Sequence, residues 1–233
     1  YRDGFFRSYF NDKERLLSLV NLLLKKNYKK TSNIVINTLP GVFFGKIKND
    51  LSCIVRDKFL VITEQQSTPN ENMPARMLFY ATELLKRYIL PIKSDIYKEK
   101  MINLPRPRFF VLYNGKKHEP PKKEMRLSDA FDGDKTLELT VTLINIHSKE
   151  NEDFVKKSEH LLNYVKFVQY VEEYERETKD IEKAIYLAIK RCKSEGRMTD
   201  YLKEHEGELS MYYALEWDED LAKKAREEER EEE

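Results

Sequence analysis

The sequence predicts an α/β protein in which a strand-rich first part is followed by a helical second part. Apolar runs rich in β-branched and aromatic residues, bounded by turn residues, occur before residue 150. Beyond Asn151 the apolar residues recur with helical spacing. We therefore expect a sheet-containing core over residues 1–150. Residues 151–233 are expected to form a helical region that packs on this core and ends in a charged tail.

The first part opens with a helix and a strand. The β-branched residues Ile34 to Ile36 predict a strand, and Pro40-Gly41 marks a turn after it. The helix is predicted over about residues 12 to 26, because its apolar residues share one face: Leu16, Leu19, Val20 and Leu23.

Two apolar strands follow and form a hairpin around residues 56 to 58. With a three-residue loop, Asp50 lies directly across from Glu64. A two-residue turn would place the two carboxylates on opposite faces, because a one-residue slip turns every side chain over. Gln66 shares the face of Glu64, since side chains alternate along a strand.

The remaining elements follow in order. Asn72 and Pro74 mark the start of a helix with a wide apolar stripe, which is expected to pack across the sheet. Residues 108–113 and 137–146 predict two more buried strands, separated by a turn and an irregular loop. Helices are then predicted over residues 154–177, 180–195 and 199–205, with another from about residue 208.

The paired carboxylates carry a chemical expectation. Two such groups side by side in a mostly apolar sheet repel each other, and burying them unpaired is expensive. A magnesium ion would relieve both problems, because it binds through one or two carboxylates with water and phosphate oxygens. Phosphoryl hydrolysis is the natural chemistry of such a site. The residues alone leave an alternative open, in which Asp50 caps a strand and Glu64 pairs with a nearby lysine.

Several short strings in this region match a known pattern. Glu64-Gln65-Gln66-Ser67 is followed by Met73-Pro74-Ala75-Arg76, with Tyr80 one turn further on. Other matching stretches are FFVLYNGK at 109–116, RLSDAF at 126–131 and LINI at 143–146. Together they resemble the PD-(D/E)XK nuclease superfamily, and within it the Rpn-type recombination-promoting nucleases, also described as PD-(D/E)XK family transposases. The resemblance implies a restriction-endonuclease-like core with a mixed central sheet flanked by helices.

The resemblance also implies roles for individual residues. Asp50 and Glu64 would be metal ligands, the backbone carbonyl of Gln65 a third, and Gln66 would stand in place of the catalytic lysine. A neutral amide can orient water but brings no positive charge. Another cation must then supply that charge: Lys48 is the first candidate, Arg76 the second and Lys46 a lesser one. For Lys48 and Arg76, an ordinary basic residue near the surface is an equal alternative.

Glu14 is a further candidate, because members of the superfamily often add a glutamate from their first helix to the metal site. Asn11 and Glu14 also have the spacing of a capping box at a helix start. We favour the capping role for Glu14.

The net charge of +1 conceals two very different halves. Residues 1–126 contain 25 Lys and Arg against 12 Asp and Glu, whereas residues 127–233 contain 17 against 29. A basic half that carries the proposed metal site suits a phosphate backbone, since neutralised phosphates supply most sequence-independent affinity. Solvated loops are the alternative explanation for the lysine clusters.

Other classes of site have no support in the sequence. The four histidines show no zinc spacing, and the absence of a glycine-rich phosphate loop predicts no nucleotide cofactor. Cys53 and Cys192 are expected to be core residues. No apolar run is long enough to cross a bilayer, so we expect a cytoplasmic protein with no membrane association.

The sequence thus predicts a Mg²⁺-dependent DNA endonuclease, with Mn²⁺ as a substitute, linked to recombination, transposition or mobile-element defence. A homodimer is compatible with this activity, because two sites can cut two strands. The alternative is a catalytically weak or inactive nucleic-acid-binding protein of the same fold. A third hypothesis is a protein-interaction module that recruits a basic partner through its acidic helical half.

Overall fold

Six strands form one mixed sheet in the computed structural model, which describes residues 2–38 and 49–205. The strands are β1 (Ile34–Ile36), β2 (Leu51–Val55), β3 (Phe59–Gln66), β4 (Arg106–Tyr113), β5 (Lys122–Arg126) and β6 (Thr140–Asn145). Their order across the sheet is β1-β2-β3-β4-β6-β5. β3, β4 and β6 are parallel neighbours, while β1, β2 and β5 pair antiparallel. The predicted α/β class, with a mixed sheet flanked by helices, is confirmed.

The described residues also include seven α-helices and four short 3₁₀ segments. The helices are α1 (Arg2–Phe10), α2 (Lys13–Leu24), α3 (Met73–Ile89), α4 (Glu152–Lys156), α5 (Glu159–Thr178), α6 (Ile181–Ser194) and α7 (Thr199–Glu204). The 3₁₀ segments are Thr31–Asn33, Leu90–Tyr97, Leu127–Phe131 and Lys149–Asn151. None of these described helices combines the length and the apolar character that crossing a lipid bilayer requires.

The chain divides into two compact units, residues 1–168 and 169–233, and the division falls within α5. The first unit contains the sheet, α1 to α4 and the first half of α5. The sequence predicts this boundary at residue 150, where the helical period begins. A change in the period of the apolar residues marks a change of secondary structure. The two compact units are instead defined by contacts between elements, so the two boundaries need not coincide.

The helix α3 covers one face of the sheet. Its buried stripe packs against residues of five strands, and the shared core consists of Met73, Met77, Tyr80, Ala81 and Leu84 with Ile54, Leu60, Ile62, Phe109, Val111, Tyr113, Met125, Val141 and Leu143. The helix begins at Met73 with Asn72 at the N-cap and Pro74 in its first turn, as predicted. Because Glu64 and Gln66 continue the alternation of Leu60 and Ile62, their side chains face α3 as well.

A second buried group joins α1, α2 and the first half of α5. α1 lies against β3 and α2 against β1. The ring of Phe6 packs against those of Phe10 and Tyr164, at centroid distances of 5.0 and 5.4 Å. Ser18 of α2 hydrogen-bonds Ser158 at the start of α5 at 2.9 Å. These contacts join α1, α2 and the first half of α5 into one layer.

Three details differ from the sequence prediction. The N-cap of α2 is Asp12, which accepts hydrogen bonds from the backbone of Glu14 and Arg15 at 2.9 Å, so the predicted capping box from Asn11 is wrong. The helix predicted over 154–177 is two helices, because Ser158 interrupts it and caps α5 through Leu161. β5 was not predicted at all.

Some predictions fall outside the described residues. They are the Pro40-Gly41 turn, the candidate cations Lys46 and Lys48, the helix from about residue 208 and the charged tail.

Candidate functional site

The hairpin of β2 and β3 brings the two predicted carboxylates together. Val55 lies opposite Phe59 in the ladder, so the loop has the three residues that the functional interpretation requires. Its first two residues, Arg56 and Asp57, adopt the left-handed conformation with φ near 50° and 54°. Leu51, the first residue of β2, lies opposite Thr63 of β3. Asp50 precedes Leu51 and Glu64 follows Thr63, so the antiparallel pairing sets these two residues side by side.

Reciprocal hydrogen bonds to the backbone hold the pair in place. The Asp50 amide donates to Glu64 Oε1 at 2.7 Å, and the Gln65 amide donates to Asp50 Oδ2 at 2.9 Å. Each carboxylate therefore accepts a bond from the other's chain segment. Charge-assisted bonds of this kind are short and geometrically specific. They lock the end of β3 to the start of β2.

Arg76, in the first turns of α3, is the cation that pairs with Glu64. Its Nη2 lies 2.7 Å from Glu64 Oε2, and the Glu64 side chain is only 3% exposed. The same guanidinium donates to the Tyr80 hydroxyl from Nε at 3.0 Å and from Nη2 at 2.8 Å. With the Gln66 amide oriented so that both its atoms find partners, its oxygen accepts from Arg76 Nη1 at 2.9 Å. Arg76 thus links Glu64, Gln66 and Tyr80.

The surroundings shift the pKa values of Arg76 and Tyr80, the two residues of α3 at this site. Burial lowers the pKa of Arg76, but the Tyr80 hydrogen bond and the charge of Glu64 outweigh it and raise the net value. Burial and then the negative charge of Glu64 raise the pKa of Tyr80, against the opposing effect of Arg76. The guanidinium therefore stays charged and the phenol stays protonated at neutral pH.

A polar cleft of about 420 Å³ opens beside the pair. It is lined by Asp50, the last three residues of β3, the following segment Ser67 to Asn70, and Arg76. A second cleft of about 470 Å³ reaches Asp50 from the side of α1 and includes Arg7. The partly exposed Asp50 and the buried Glu64 thus remain within reach of a ligand. Ligands of α/β sheets commonly bind at the carboxyl ends of the strands, where this cleft lies.

The donor set matches a magnesium site with two protein carboxylates. Because the N–H and C=O of one residue in a strand project to the same side, the Gln65 carbonyl is directed toward Asp50 as its amide is. A carboxylate oxygen that accepts one hydrogen bond keeps a second lone pair for a cation. Within the described ranges no three His, Cys, Asp or Glu side chains form a group that could hold a metal. Glu14 is exposed and does not join the pair.

A buried hydrogen-bond chain supports the site from the other face of the sheet. The Gln65 side chain donates to Asn114 Oδ1 at 2.6 Å, and Asn114 Nδ2 donates to the Tyr164 hydroxyl at 3.0 Å. The Asn114 amide also donates to the Gln66 carbonyl at 2.9 Å. Gly115 lies so close to the Ser67 carbonyl that a Cβ would not fit. Asn114 and Gly115 therefore fix the segment that leaves β3.

Sequence reasoning missed Tyr80 and Asn114 as parts of the site. Tyr80 lies four residues after Arg76, which places it on the same helix face, so the spacing contained the signal. Asn114 precedes Gly115, and this pair of residues is typical of a turn. No local sequence pattern shows that the Asn114 side chain bonds Gln65 and Tyr164, which are distant in sequence.

Comparisons of the chain with protein-family models, with curated proteins and with solved structures give no match. The resemblance to the nuclease superfamily therefore rests on the residues quoted above. What the protein does has to be argued from the geometry and chemistry of the site.

Proposed function

We propose that the protein is a magnesium-dependent endonuclease of the PD-(D/E)XK type that hydrolyses phosphodiester bonds in DNA. One observation supports this above the others: Asp50 and Glu64 converge at the end of β3 beside a polar cleft, 2.7 Å separating Glu64 Oε1 from the Asp50 amide. Two carboxylates this close repel each other, and a cation between them would relieve that repulsion.

The protein residues would divide the work of hydrolysis. Asp50, Glu64 and the Gln65 carbonyl would hold Mg²⁺, or Mn²⁺ in its place. When bound, the cation supplies an activated water and neutralises phosphate charge. Hydrolysis forms a bond between the water oxygen and phosphorus and breaks one phosphorus–ester bond, and the departing alkoxide takes up a proton.

Arg76 is the residue that supplies the positive charge missing from Gln66. Both atoms of the Gln66 amide are engaged, by Arg76 Nη1 at 2.9 Å and by the Thr68 carbonyl at 3.2 Å. Gln66 therefore positions Arg76 rather than a water molecule. A guanidinium presents several donors in a planar fork, which matches phosphate geometry.

A second candidate function is nucleic-acid binding without cleavage, and the Arg76–Glu64 ion pair favours it. With Nη2 at 2.7 Å from Oε2, the guanidinium compensates the buried charge of Glu64 without a metal. In a protein that does not cut, this ion pair would be a permanent structural contact.

Plasmid cleavage in the presence of Mg²⁺ or Mn²⁺ separates the two candidates. We expect the wild type to nick or linearise the plasmid and Asp50→Asn and Glu64→Gln to lose this activity, because each removes a ligand charge at nearly constant shape. Glu83→Gln is the matched control, since Glu83 lies on α3 in an ordinary ion pair with Lys86 at 2.8 Å. Equal cutting by all four proteins would refute the assignment of the site. Binding of DNA by the wild type without any metal-dependent cutting would favour the second candidate.

A further inference from the structure

Six exposed basic residues lie at the end of the sheet opposite to the carboxylates. We call this group the basic end; it consists of Lys29, Lys30, Arg56, Lys58, Arg106 and Arg108. Three separate segments contribute to it: the residues before β1, the β2–β3 loop and the start of β4.

Backbone hydrogen bonds bring these segments together. The Arg106 amide donates to the Lys58 carbonyl at 2.8 Å, which joins the start of β4 to the hairpin loop. The Arg56 amide donates to the Asn33 carbonyl at 2.9 Å, and the Asn33 amide donates to the Lys30 carbonyl at 3.0 Å. The cluster is therefore a consequence of the fold and not of proximity in sequence.

Aromatic rings hold the three guanidinium groups. Arg106 and Arg108 lie over the ring of Phe59, at 5.9 and 5.5 Å from its centroid, and Arg56 lies over Tyr28 at 5.9 Å. Contacts of this kind orient a guanidinium and restrict its rotamers while its N–H donors still face solvent. A ligand that binds these donors then costs less side-chain entropy.

The six residues of the basic end bring together a concentrated positive charge. In the part of the chain that the structure describes, no ion pair joins any of the six residues to a carboxylate. Asp57 is the one acidic residue in the hairpin loop. Glu124 and Glu138 share a shallow cleft with Arg108, but each has another partner. Glu138 accepts from Ser128 at 2.6 Å, and Glu124 lies 3.9 Å from Arg126.

We propose that the basic end binds the phosphate backbone of a nucleic acid, as a contact separate from the cleft at Asp50 and Glu64. Glu64 lies five positions after Phe59 in β3, which is about 17 Å along the strand. An odd number of positions also places the two side chains on opposite faces of the sheet. One phosphate group cannot reach both places, so a single ligand that contacts both has to be a polyanion long enough to offer a second segment. The proposed nucleic-acid function suggests this class of ligand, but the inference does not require cleavage.

Arginine-rich composition favours nucleic acid over an anionic lipid surface. Stacked guanidiniums suit bidentate contacts with phosphodiester oxygens, and peripheral membrane binding needs apolar side chains that insert beside the charges. Tyr28 and Phe59, the aromatic residues beside the basic end, instead have their rings covered by its arginines.

Fluorescence anisotropy with a labelled DNA duplex, in the presence of EDTA, tests this proposal. We expect Arg106→Gln/Arg108→Gln to bind at least several-fold more weakly and to lower the slope of log affinity against log salt by about two, one for each phosphate contact. Lys86→Gln/Arg87→Gln is the control, because it removes the same charge from exposed positions on α3. Arg106→Lys/Arg108→Lys keeps the charge but loses the stacked, bidentate guanidiniums, so it should bind more weakly than the wild type and more tightly than the glutamine variant. If the glutamine variant does not fold, the weaker binding of this lysine variant is the test.

The outcomes distinguish this proposal from the endonuclease assignment. Glu83→Gln, outside both places, should bind the duplex as the wild type does. Unchanged binding by Arg106→Gln/Arg108→Gln, an equal loss in the control, or binding to phosphatidylserine vesicles but not to DNA would overturn the proposal. If the basic-end variant binds normally while the wild type still cuts plasmid, the endonuclease assignment stands. If binding weakens as expected but no plasmid is cut, the basic end stands and the endonuclease fails.

Discussion

Replacing Arg76 with methionine tests the electrostatics of the candidate site directly. Methionine keeps a long unbranched side chain beside Tyr80 but removes the guanidinium that faces Glu64. In the wild type this group lies 2.7 Å from Glu64 Oε2 and also serves Gln66 and Tyr80. The substitution leaves a carboxylate with a 3% exposed side chain beside Asp50 without that counter-charge.

The expected loss of unfolding free energy depends on how deeply Glu64 and Arg76 are buried. Removing one partner of a fully buried ion pair costs about 3–5 kcal/mol, whereas exposed pairs contribute about 0.2–1 kcal/mol. Glu64 belongs to the first class, but Arg76 is 37% exposed, so solvent screens part of the interaction. We therefore expect Arg76→Met to lower the free energy of unfolding by about 2 kcal/mol in the absence of divalent cations.

Denaturant unfolding in EDTA measures this loss, and a double-mutant cycle assigns it. Glu64→Gln/Arg76→Met should be destabilised by less than the sum of the two single variants. Each single variant leaves one charge of the ion pair without its partner, whereas the double variant removes both charges. Millimolar Mg²⁺ should recover part of the loss in Arg76→Met, since a cation that binds only the native state stabilises it. An unfolding free energy within about 0.5 kcal/mol of wild type would refute the reasoning, since ordinary surface substitutions give that result. Strictly additive losses in the cycle would refute it too.

Three further predictions concern the rest of the first unit and the buried thiols. Gly115→Ala should destabilise the protein by about 1–3 kcal/mol in thermal or denaturant unfolding, because its Cβ overlaps the Ser67 carbonyl; wild-type stability would contradict this close contact. Burial lowers the pKa of His160 below its ordinary 6.5, so unfolding takes up a proton and stability should fall as the pH drops below that value. His160→Gln should flatten this dependence, and an unchanged pH profile would exclude His160 as its source. Cys53 and Cys192 are 1% and 0% exposed, and burial raises the pKa of both thiols, that of Cys192 to about 12. Their labelling by a thiol reagent should follow unfolding, and rapid labelling of the native protein would contradict their burial.

The carboxylate pair could be predicted because it depends on short-range rules. Period-two alternation is readable from the sequence and places Asp50 and Glu64 face to face if the loop has three residues. The sequence also allows a two-residue turn, and the pairing of Val55 with Phe59 in the structure decides for three. The partner of Glu64 was harder to predict. Lys48 and Arg76 were both candidates, and the packing of α3 across the sheet, a tertiary feature, brings Arg76 to within 2.7 Å of the carboxylate.

Other features could not be predicted for identifiable reasons. β5 has the sequence KKEMR with one buried residue, Met125, so an edge strand of this composition looks like a polar loop. Asn11 and Asp12 are both good N-cap residues, and the pattern cannot choose between adjacent positions. Helical periodicity also continues across Ser158, which conceals the break between α4 and α5.

The ion pair between Arg76 and the buried Glu64 separates the folding of the chain from the binding of a divalent cation. Since Arg76 already balances Glu64, the chain can reach its native state with no metal present, and scarcity of the ion would not expose it to proteolysis. In the proposed endonuclease, chelation would therefore stop cleavage without denaturing the protein, and returning the ion would restore activity without a refolding step.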